Sequence, residues 1–160
     1  MKFRDIDPKS EAEIHLVAQR MRQTLVEVLG EEKGGSMYTM DWLIDRVRWH
    51  LDPKNTNGRV FLSENQSGQI TGHAIARIDN GTTFGYFSTI FVEPHSRRNG
   101  IATGLMKHVE DWFSENTILK IIYNTADNHV ALIGLFQSHG YEITHAEFAM
   151  IQLTKILPAS

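Results

Sequence analysis

The turn between residues 92 and 101 is the part of the sequence best suited to chemistry. It follows the apolar run Ile90–Val92 and leads into a predicted helix that begins with small residues. Backbone N–H groups at a helix N-terminus have no acceptor inside the helix, and the helix dipole favours anions there. Small residues let a pyrophosphate approach the backbone, and arginines add positive charge. The sequence therefore predicts a phosphate-binding loop at Arg97–Gly104, carried by Arg97, Arg98, Gly100, Ala102 and Gly104.

Two common nucleotide-binding patterns are absent from the sequence. No Gly-Lys-Ser or Gly-Lys-Thr follows the glycines of this loop, as a Walker A motif requires, and there is no Gly-x-Gly-x-x-Gly. The chain contains no cysteine, so disulfides, thiolate metal sites and a cysteine acyl-enzyme are excluded. The histidines do not have the spacing of metal ligands, and no metal is predicted.

The spacing of apolar residues predicts helices and strands that must position the loop. Ser10 and Glu13 form a predicted capping box for a first helix that ends at Gly30, and Glu31–Ser36 is expected to be a polar loop. The further predicted helices are Met40–Leu51, one from Ile101 through Trp112, and Asn128–His139. The predicted strands are Phe3–Ile6, Arg59–Glu64, Gln69–Ile78, Thr83–Val92, Ile118–Tyr123 and Tyr141–Leu153, the last with an interruption near His145. This order predicts an α/β (α+β) fold with one central sheet flanked by helices.

The composition is that of an ordinary soluble globular chain. Of the 160 residues, 41% are apolar and 22% are charged, which argues against disorder and against a coiled coil. A formal net charge of -3 argues against a general nucleic-acid binder. The first residues are charged, and no apolar run approaches the roughly 20 residues of a membrane helix. We therefore expect one cytoplasmic domain over residues 1–160, with neither a nucleic-acid nor a membrane partner.

Two segments resemble motifs of one known family. Arg97-x-x-Gly100-x-Ala102, which follows Ile90-Phe91-Val92-x-Pro94, resembles the acyl-CoA-binding motif of the GNAT superfamily of N-acetyltransferases. Asn128-His129-Val130-Ala131, followed by Leu135-Phe136-x-x-x-Gly140-Tyr141, is similar to that family's Asn-x-x-Ala and Leu-Tyr-x-x-x-Gly-Phe segment. The order of elements agrees with the family across nearly the whole chain.

The resemblance implies a mixed, mostly antiparallel sheet in which two parallel strands splay apart to hold acetyl-CoA. These strands are Thr83–Val92 and Ile118–Tyr123 here. The pantetheine arm is expected on the backbone of the first strand and the pyrophosphate on the loop amides, with Asn128 as a further contact. The cofactor-binding residues expected from this resemblance are Ile90, Phe91, Val92, Arg97, Arg98, Asn99, Gly100, Ile101, Ala102, Thr103, Asn128 and Phe136.

The sequence departs from the family at its acid and base positions. The frequent general acid is a tyrosine, but the matching residue is Phe136, which has no proton to give. Glutamates that serve as bases in the family match Tyr123 in one branch and about Tyr86 in another. We take Tyr123, Tyr86 and His73 as candidate catalytic proton carriers. The alternative for each is a core residue, since buried tyrosines in strands usually serve packing.

Several functions remain open at this point. The first is an N-acetyltransferase that moves an acetyl group to a primary amine of a small molecule or peptide by direct transfer. The alternative is a noncatalytic acyl-CoA-binding regulatory domain of the same fold, which Phe136 and the missing glutamate favour. A third is an α/β module for another phosphorylated ligand. Arg46 and Arg48 are either solvated or face an acidic substrate, while Glu31 and Glu32 are either solvated or border the mouth for a cationic one. The oligomeric state, with a homodimer among the options, is not fixed by the sequence.

Overall fold

The computed structural model describes residues 1–159, and seven strands within them form one sheet. The strands are β1 (Lys2–Asp5), β2 (Asn57–Glu64), β3 (Ile70–Ile78), β4 (Phe84–Val92), β5 (Lys120–Ala126), β6 (Glu142–Glu147) and β7 (Met150–Ile156). Their order is β1-β2-β3-β4-β5-β7-β6. Strands β4 and β5 run parallel, and the other neighbouring pairs are antiparallel. The mixed, mostly antiparallel sheet predicted from the sequence is confirmed.

Helices cover both faces of this sheet because side chains alternate between faces along each strand. The helices are α1 (Glu11–Leu29), α2 (Glu31–Met37), α3 (Met40–Leu51), α4 (Ile101–Glu115) and α5 (Val130–Ser138). Helices α1 and α3 bury Val17 and Val47 against Ile75 of β3. Helices α4 and α5 pack on the opposite face, where Leu105 and Phe136 join the larger core cluster. The site therefore lies in a sheet that is held from both sides.

The first helix begins and ends as its sequence predicts. The Ser10 side chain accepts a hydrogen bond from the Glu13 amide at 3.2 Å, and α1 ends before Gly30, whose φ is 85°. The Glu13 carboxylate accepts from the Asp7 amide at 2.9 Å and pairs with Arg4 at 2.7 Å. These contacts fix the direction of α1, which later supplies one wall of the site.

Two predictions about secondary structure were wrong. The predicted loop Glu31–Ser36 is the short helix α2. Two acidic residues in its first turn interact favourably with the helix dipole. Gly34 also packs so closely on α1 that a Cβ at this position would clash with the backbone of Leu25. This close packing on α1 offsets the low helix propensity of the glycines.

The second error concerns the C-terminal strand, predicted as one run over Tyr141–Leu153. It is the hairpin β6–β7, whose chain reverses at Phe148 and Ala149 with φ of 52° and 61°. Hairpin turns with two positive φ values usually use Asn or Gly, so these residue types gave no signal. The predicted interruption near His145 corresponds to a shift in register between Ile143 and His145.

The parallel pair β4–β5 opens along its length. Only Phe84–Lys120, Gly85–Ile121 and Tyr86–Ile122 are paired in the described chain, although β4 continues to Val92 and β5 to Ala126. The pairing of β3 with β4 also shifts, because Thr89 and Phe87 are paired while the intervening Ser88 has no partner. The splayed parallel strands predicted from the resemblance are confirmed.

Candidate active site

The loop after β4 leads into α4 through two residues with positive φ. Arg98 and Gly100 both have left-handed backbone, with φ of 68° and 78°, directly before α4 begins at Ile101. The conformation is uncommon for arginine, and such strain is concentrated at functional sites. The first intrahelical bond of α4 runs from Gly104 N to Gly100 O at 3.0 Å. The earlier amides of the helix are thus free to bind an anion.

A cleft of about 440 Å³ lies in front of this loop. Its walls come from the edge of β4, the loop, the C-terminal half of α1 and the start of α5. It is apolar beside the strand and charged beside the loop. The expected cofactor residues that line it are Ile90, Phe91, Val92, Arg97, Arg98, Gly100, Ile101, Ala102 and Thr103. Residues not expected from the sequence also line it: Thr24, Glu27, His129, Ala131, Leu132 and Leu135.

Three expected cofactor residues do not line the cleft. Asn99 is exposed in the loop. Asn128 is exposed and donates through Nδ2 to Val28 O of α1 at 3.2 Å, while its neighbour His129 lines the cleft. Phe136 is 0% exposed, and its ring stacks on Tyr123 with centroids 3.8 Å apart and planes 3° apart. Cofactor contact by these three residues stays a prediction.

The two loop arginines have different surroundings. Arg97 Nε donates to Val92 O at 2.9 Å, and its guanidinium lies 3.4 Å from the Glu27 carboxylate. Arg97 thereby ties the loop to both β4 and α1. Arg98 is exposed and has no ion pair within residues 1–159, so its charge is available to a ligand.

Gly104 has a packing contact that the sequence did not indicate. We expected this glycine to admit a pyrophosphate, which stays a prediction, and it does not line the cleft. A Cβ at this position would clash with the Phe3 ring of β1. Gly104 therefore allows close packing of α4 on β1, whereas Gly100 faces open space beside the loop.

The three candidate proton carriers lie in different places. Tyr123 is buried in the core on the α4 face, and burial raises its pKa to about 12, against a smaller opposite effect of a hydrogen bond with Thr125. Tyr86 is partly exposed at the last paired position of β4, and its ring lies 4.3 Å from the Arg77 guanidinium. His73 is 1% exposed with no hydrogen bond to Nε2. Burial, then the charge of Arg20, lower the pKa of His73 to about 3.

A polar pair that the sequence did not indicate lies beside Tyr86. His50 Nε2 of α3 is 3.4 Å from Ser88 Oγ, which also accepts from Arg77 at 3.2 Å. His50 Nδ1 lies 2.8 Å from Arg46 O, so Nδ1 donates and Nε2 can accept from the serine hydroxyl. Burial lowers the pKa of His50 to about 4, so the ring is neutral at pH 7. The unpaired position of Ser88 brings these groups together, and no glycine or proline marks it in the sequence.

The described part of the chain contains no cluster of three or more His, Cys, Asp or Glu side chains that could hold a metal ion. Its helices are also too short or too polar to span a bilayer. The arrangement that remains is a loop with free helix amides at the mouth of an apolar cleft, with hydroxyl and imidazole groups where the strands part. It is suited to a long phosphorylated ligand and to proton transfer at its far end.

Comparison with known proteins agrees with this geometry. A model of the acetyltransferase (GNAT) family matches residues 19–141, which is more than half of the chain. A solved aminoglycoside 6′-N-acetyltransferase complexed with coenzyme A superposes with a TM-score of 0.78 at 17% identity, over 99% of this chain and 98% of that chain. No curated protein matches the chain.

Two further solved structures share the fold. A ribosomal-protein-alanine N-acetyltransferase from Brucella melitensis has a TM-score of 0.73 at 18% identity, over 98% of this chain and 100% of that chain. The PaiA N-acetyltransferase from Thermoplasma acidophilum, in complex with coenzyme A, has a TM-score of 0.69 at 10% identity, over 97% and 98% of the two chains. At these identities the likeness is one of fold.

The opened parallel pair and the loop at the start of α4 define the fold of an acyl-CoA-dependent N-acyltransferase. The chain belongs to the GNAT acetyltransferase family. The family, fold class and enzyme class predicted from the sequence are thus confirmed.

Proposed function

We propose that this chain, as one domain over residues 1–160, transfers an acetyl group from acetyl-CoA to a primary amine of a small molecule or peptide. The observation that carries the proposal is the three-residue pairing of β4 with β5, beyond which the strands part toward the free amides of α4. Membership of the acetyltransferase family and the coenzyme A in solved relatives support it.

The proposed cofactor path follows the cleft. The pyrophosphate lies on the amides of Arg98–Thr103, with Arg98 supplying charge. The pantetheine arm runs along Ile90–Val92, where apolar side chains of α5 form the facing wall. The thioester then reaches the point where pairing ends, beside Tyr86 and Ser88. This path accounts for the change from a charged to an apolar lining along the cleft.

The reaction is direct transfer. Acetyl-CoA supplies an activated thioester, so that an ammonium acceptor gives the N-acetyl amine, the free CoA thiol and one proton. The C–N bond forms as the C–S bond breaks, and positioning supplies much of the rate. The acceptor must first lose a proton, which the neutral His50 can accept through Ser88 or a bound water. Tyr123 is the proposed donor to the departing thiolate, since its phenol is protonated at neutral pH, although burial raises its pKa to about 12 and makes it a weaker acid.

A noncatalytic acyl-CoA-binding domain remains the second candidate. The observation that favours it is Phe136, a buried residue where the family often has its acid. The two candidates share cofactor binding and differ in thiol release. They are separated by following free CoA while a panel of primary amines is supplied with acetyl-CoA.

Acetyl-CoA is expected to raise the melting temperature, and an equal concentration of adenosine to raise it less. Ligand linkage stabilises the folded state by about 2.7 kcal/mol at a hundredfold excess over the dissociation constant. Adenosine lacks the pyrophosphate and pantetheine that the loop and cleft would bind. Thermal denaturation with each ligand measures the difference. If millimolar acetyl-CoA did not raise the melting temperature, cofactor binding would be contradicted. If CoA were released at the same rate with and without an amine acceptor, acetyl transfer would be contradicted.

Tyr123→Phe is expected to lower turnover by about 10–100-fold while leaving the acetyl-CoA affinity unchanged, since it removes one hydroxyl and keeps the ring. The Tyr123 ring stacks on Phe136, so its phenol lies next to the position of the family's acid. Tyr86→Phe tests the other strand in the same way. Rates on a good acceptor between about pH 6 and 9 measure both effects. Full turnover in the double variant would show that neither phenol transfers a proton.

A further inference from the structure

Helix α3 presents an aromatic and cationic face toward the end of the β4–β5 pairing. Trp42, Arg46 and Trp49 are spaced i, i+4 and i+7, which places them on one side of the helix. The Arg46 guanidinium lies 4.1 Å from the Trp49 ring. The Arg77 guanidinium lies 5.7 Å from the same ring and 4.3 Å from the ring of Tyr86. The face therefore borders the position proposed for the thioester.

The Arg46 guanidinium has no carboxylate or carbonyl acceptor in the described chain. Every other arginine except Arg98 of the phosphate loop has a carboxylate or a carbonyl acceptor within residues 1–159. Arg46 is partly buried, and burial followed by the charge of Arg77 lowers its pKa. The carboxylate that acts on Arg46, Asp79, is already bonded to Arg77 at 3.1 Å and to Thr56 at 2.8 Å. Arg46, Arg77 and Asp79 together therefore carry one net positive charge.

An unpaired and partly desolvated guanidinium favours an incoming anion, because desolvation has weakened its interaction with water. Arginine's planar fork of donors fits a carboxylate in bidentate fashion. The surface next to it is apolar: Tyr38 stacks on Trp42 at 4.2 Å, and these side chains are 39% and 44% exposed. Trp42 lies one helical turn before Arg46 on α3, so the stacked pair and the guanidinium are neighbours.

We propose that the acceptor is an α-amino acid with an apolar or aromatic side chain, whose carboxylate binds Arg46. Its side chain would lie on the stacked Tyr38 and Trp42 rings, and its amine would point toward the thioester beside Tyr86. This inference rests on the proposed acetyl transfer and names the substrate class of that same site. It also selects one of the two alternatives that the sequence left for Arg46, contact with an acidic group.

The test compares amino acids with the amines that lack only the carboxylate. The pairs are L-phenylalanine with phenethylamine, L-tryptophan with tryptamine, L-leucine with 3-methylbutylamine and L-methionine with 3-(methylthio)propylamine. We expect the best amino acid to exceed its paired amine at least tenfold in kcat/KM. Arg46→Met should lower kcat/KM for that amino acid by about 10–100-fold, because a hydrogen-bonded charge pair is lost. The kcat/KM of the paired amine should be nearly unchanged. Arg46→Lys should fall between, because it keeps the charge without the fork.

Arg48→Met is the matched control. Arg48 lies on the same helix, is exposed and is paired with Glu11, so the substitution removes the same charge outside the proposed site. It should leave the preference for amino acids intact. If the paired amines are used as well as the amino acids, or if Arg46→Met slows both classes equally, the inference is overturned while acetyl transfer stands.

A binding measurement keeps the inference testable if no acceptor releases CoA, an outcome that would overturn the proposed function. The probe is 3-phenylpropionate, a carboxylate with an aromatic ring and no amine, followed by tryptophan fluorescence because Trp42 and Trp49 flank Arg46. Millimolar binding that Arg46→Met weakens at least tenfold and Arg48→Met does not would support the carboxylate site. Equal binding by wild type and Arg46→Met, or no binding at all, would overturn it.

Discussion

Gly100→Val is expected to weaken acetyl-CoA binding by at least about 100-fold, the largest effect on binding that the site predicts. The position faces open space, since a Cβ there would meet no heavy atom within 4 Å. That space is where the pyrophosphate is proposed to lie against the amides of α4. A branched side chain fills it, and loss of two hydrogen bonds to a charged group, at about 1.5–3 kcal/mol each, exceeds a factor of 100.

Gly81→Val separates this effect from backbone strain. Gly81 has φ of 80°, also faces open space, and lies at the opposite end of β4 from the loop. Both valines adopt left-handed backbone at a cost of about 1–2 kcal/mol, so both variants should lose similar folding stability. Calorimetric titration with acetyl-CoA then measures binding alone. Equal affinity in the two variants would show that the phosphate lies elsewhere.

Phe136→Ala is expected to lower the free energy of unfolding by about 3–5 kcal/mol, as other large truncations of buried aromatics do. The ring is 0% exposed and is enclosed by Tyr123 at 3.8 Å, Tyr141 at 4.9 Å and Phe87 at 5.0 Å. Removing it leaves a cavity under the strand that carries Tyr123. Denaturant unfolding followed by fluorescence or circular dichroism measures the change.

Phe148→Ala is the control for this truncation. The side chain is 88% exposed at the β6–β7 turn, so the same substitution should change the free energy of unfolding by less than about 0.5 kcal/mol. If Phe136→Ala changed the free energy of unfolding as little as Phe148→Ala, Phe136 would not be a core residue. This contrast matters for the chemistry. It would show that Phe136, which stands where the family often has its acid, is a packing residue on which the Tyr123 ring stacks.

The conformation of the loop before α4 and the elements around it could be predicted because their signals are local. Gly100 allows the left-handed backbone that the loop adopts. The apolar strand before it and the helix after it can be recognised from neighbouring residues. The opening between β4 and β5 has no such local signal and followed only from resemblance to a family. The packing of Gly104 on Phe3 could not be predicted, since Phe3 is distant in sequence and only the folded chain brings it to α4.

Other features depended on contacts that no local pattern encodes. The Phe148–Ala149 turn uses residue types that seldom form hairpin turns, and the helix α2 exists because Gly34 packs closely on α1. The pair of Ser88 and His50 arises from one shifted strand register. For Arg46, the sequence offered both a solvated and a substrate-facing role. The choice required knowing that the nearby carboxylate belongs to Arg77.

The short pairing of β4 with β5 also has a consequence for the backbone of the two strands. Three residue pairs are the hydrogen-bonded seam between the block β1–β4 and the block β5–β7 within residues 1–159. Beyond this seam the facing edges of β4 and β5 carry backbone N–H and C=O groups that have no partner on the neighbouring strand, while the core beneath joins the two blocks. Unpaired strand edges are templates for an added extended segment. The pantetheine arm proposed for this cleft is a chain with amide groups of its own, so it would take the place of a missing stretch of strand.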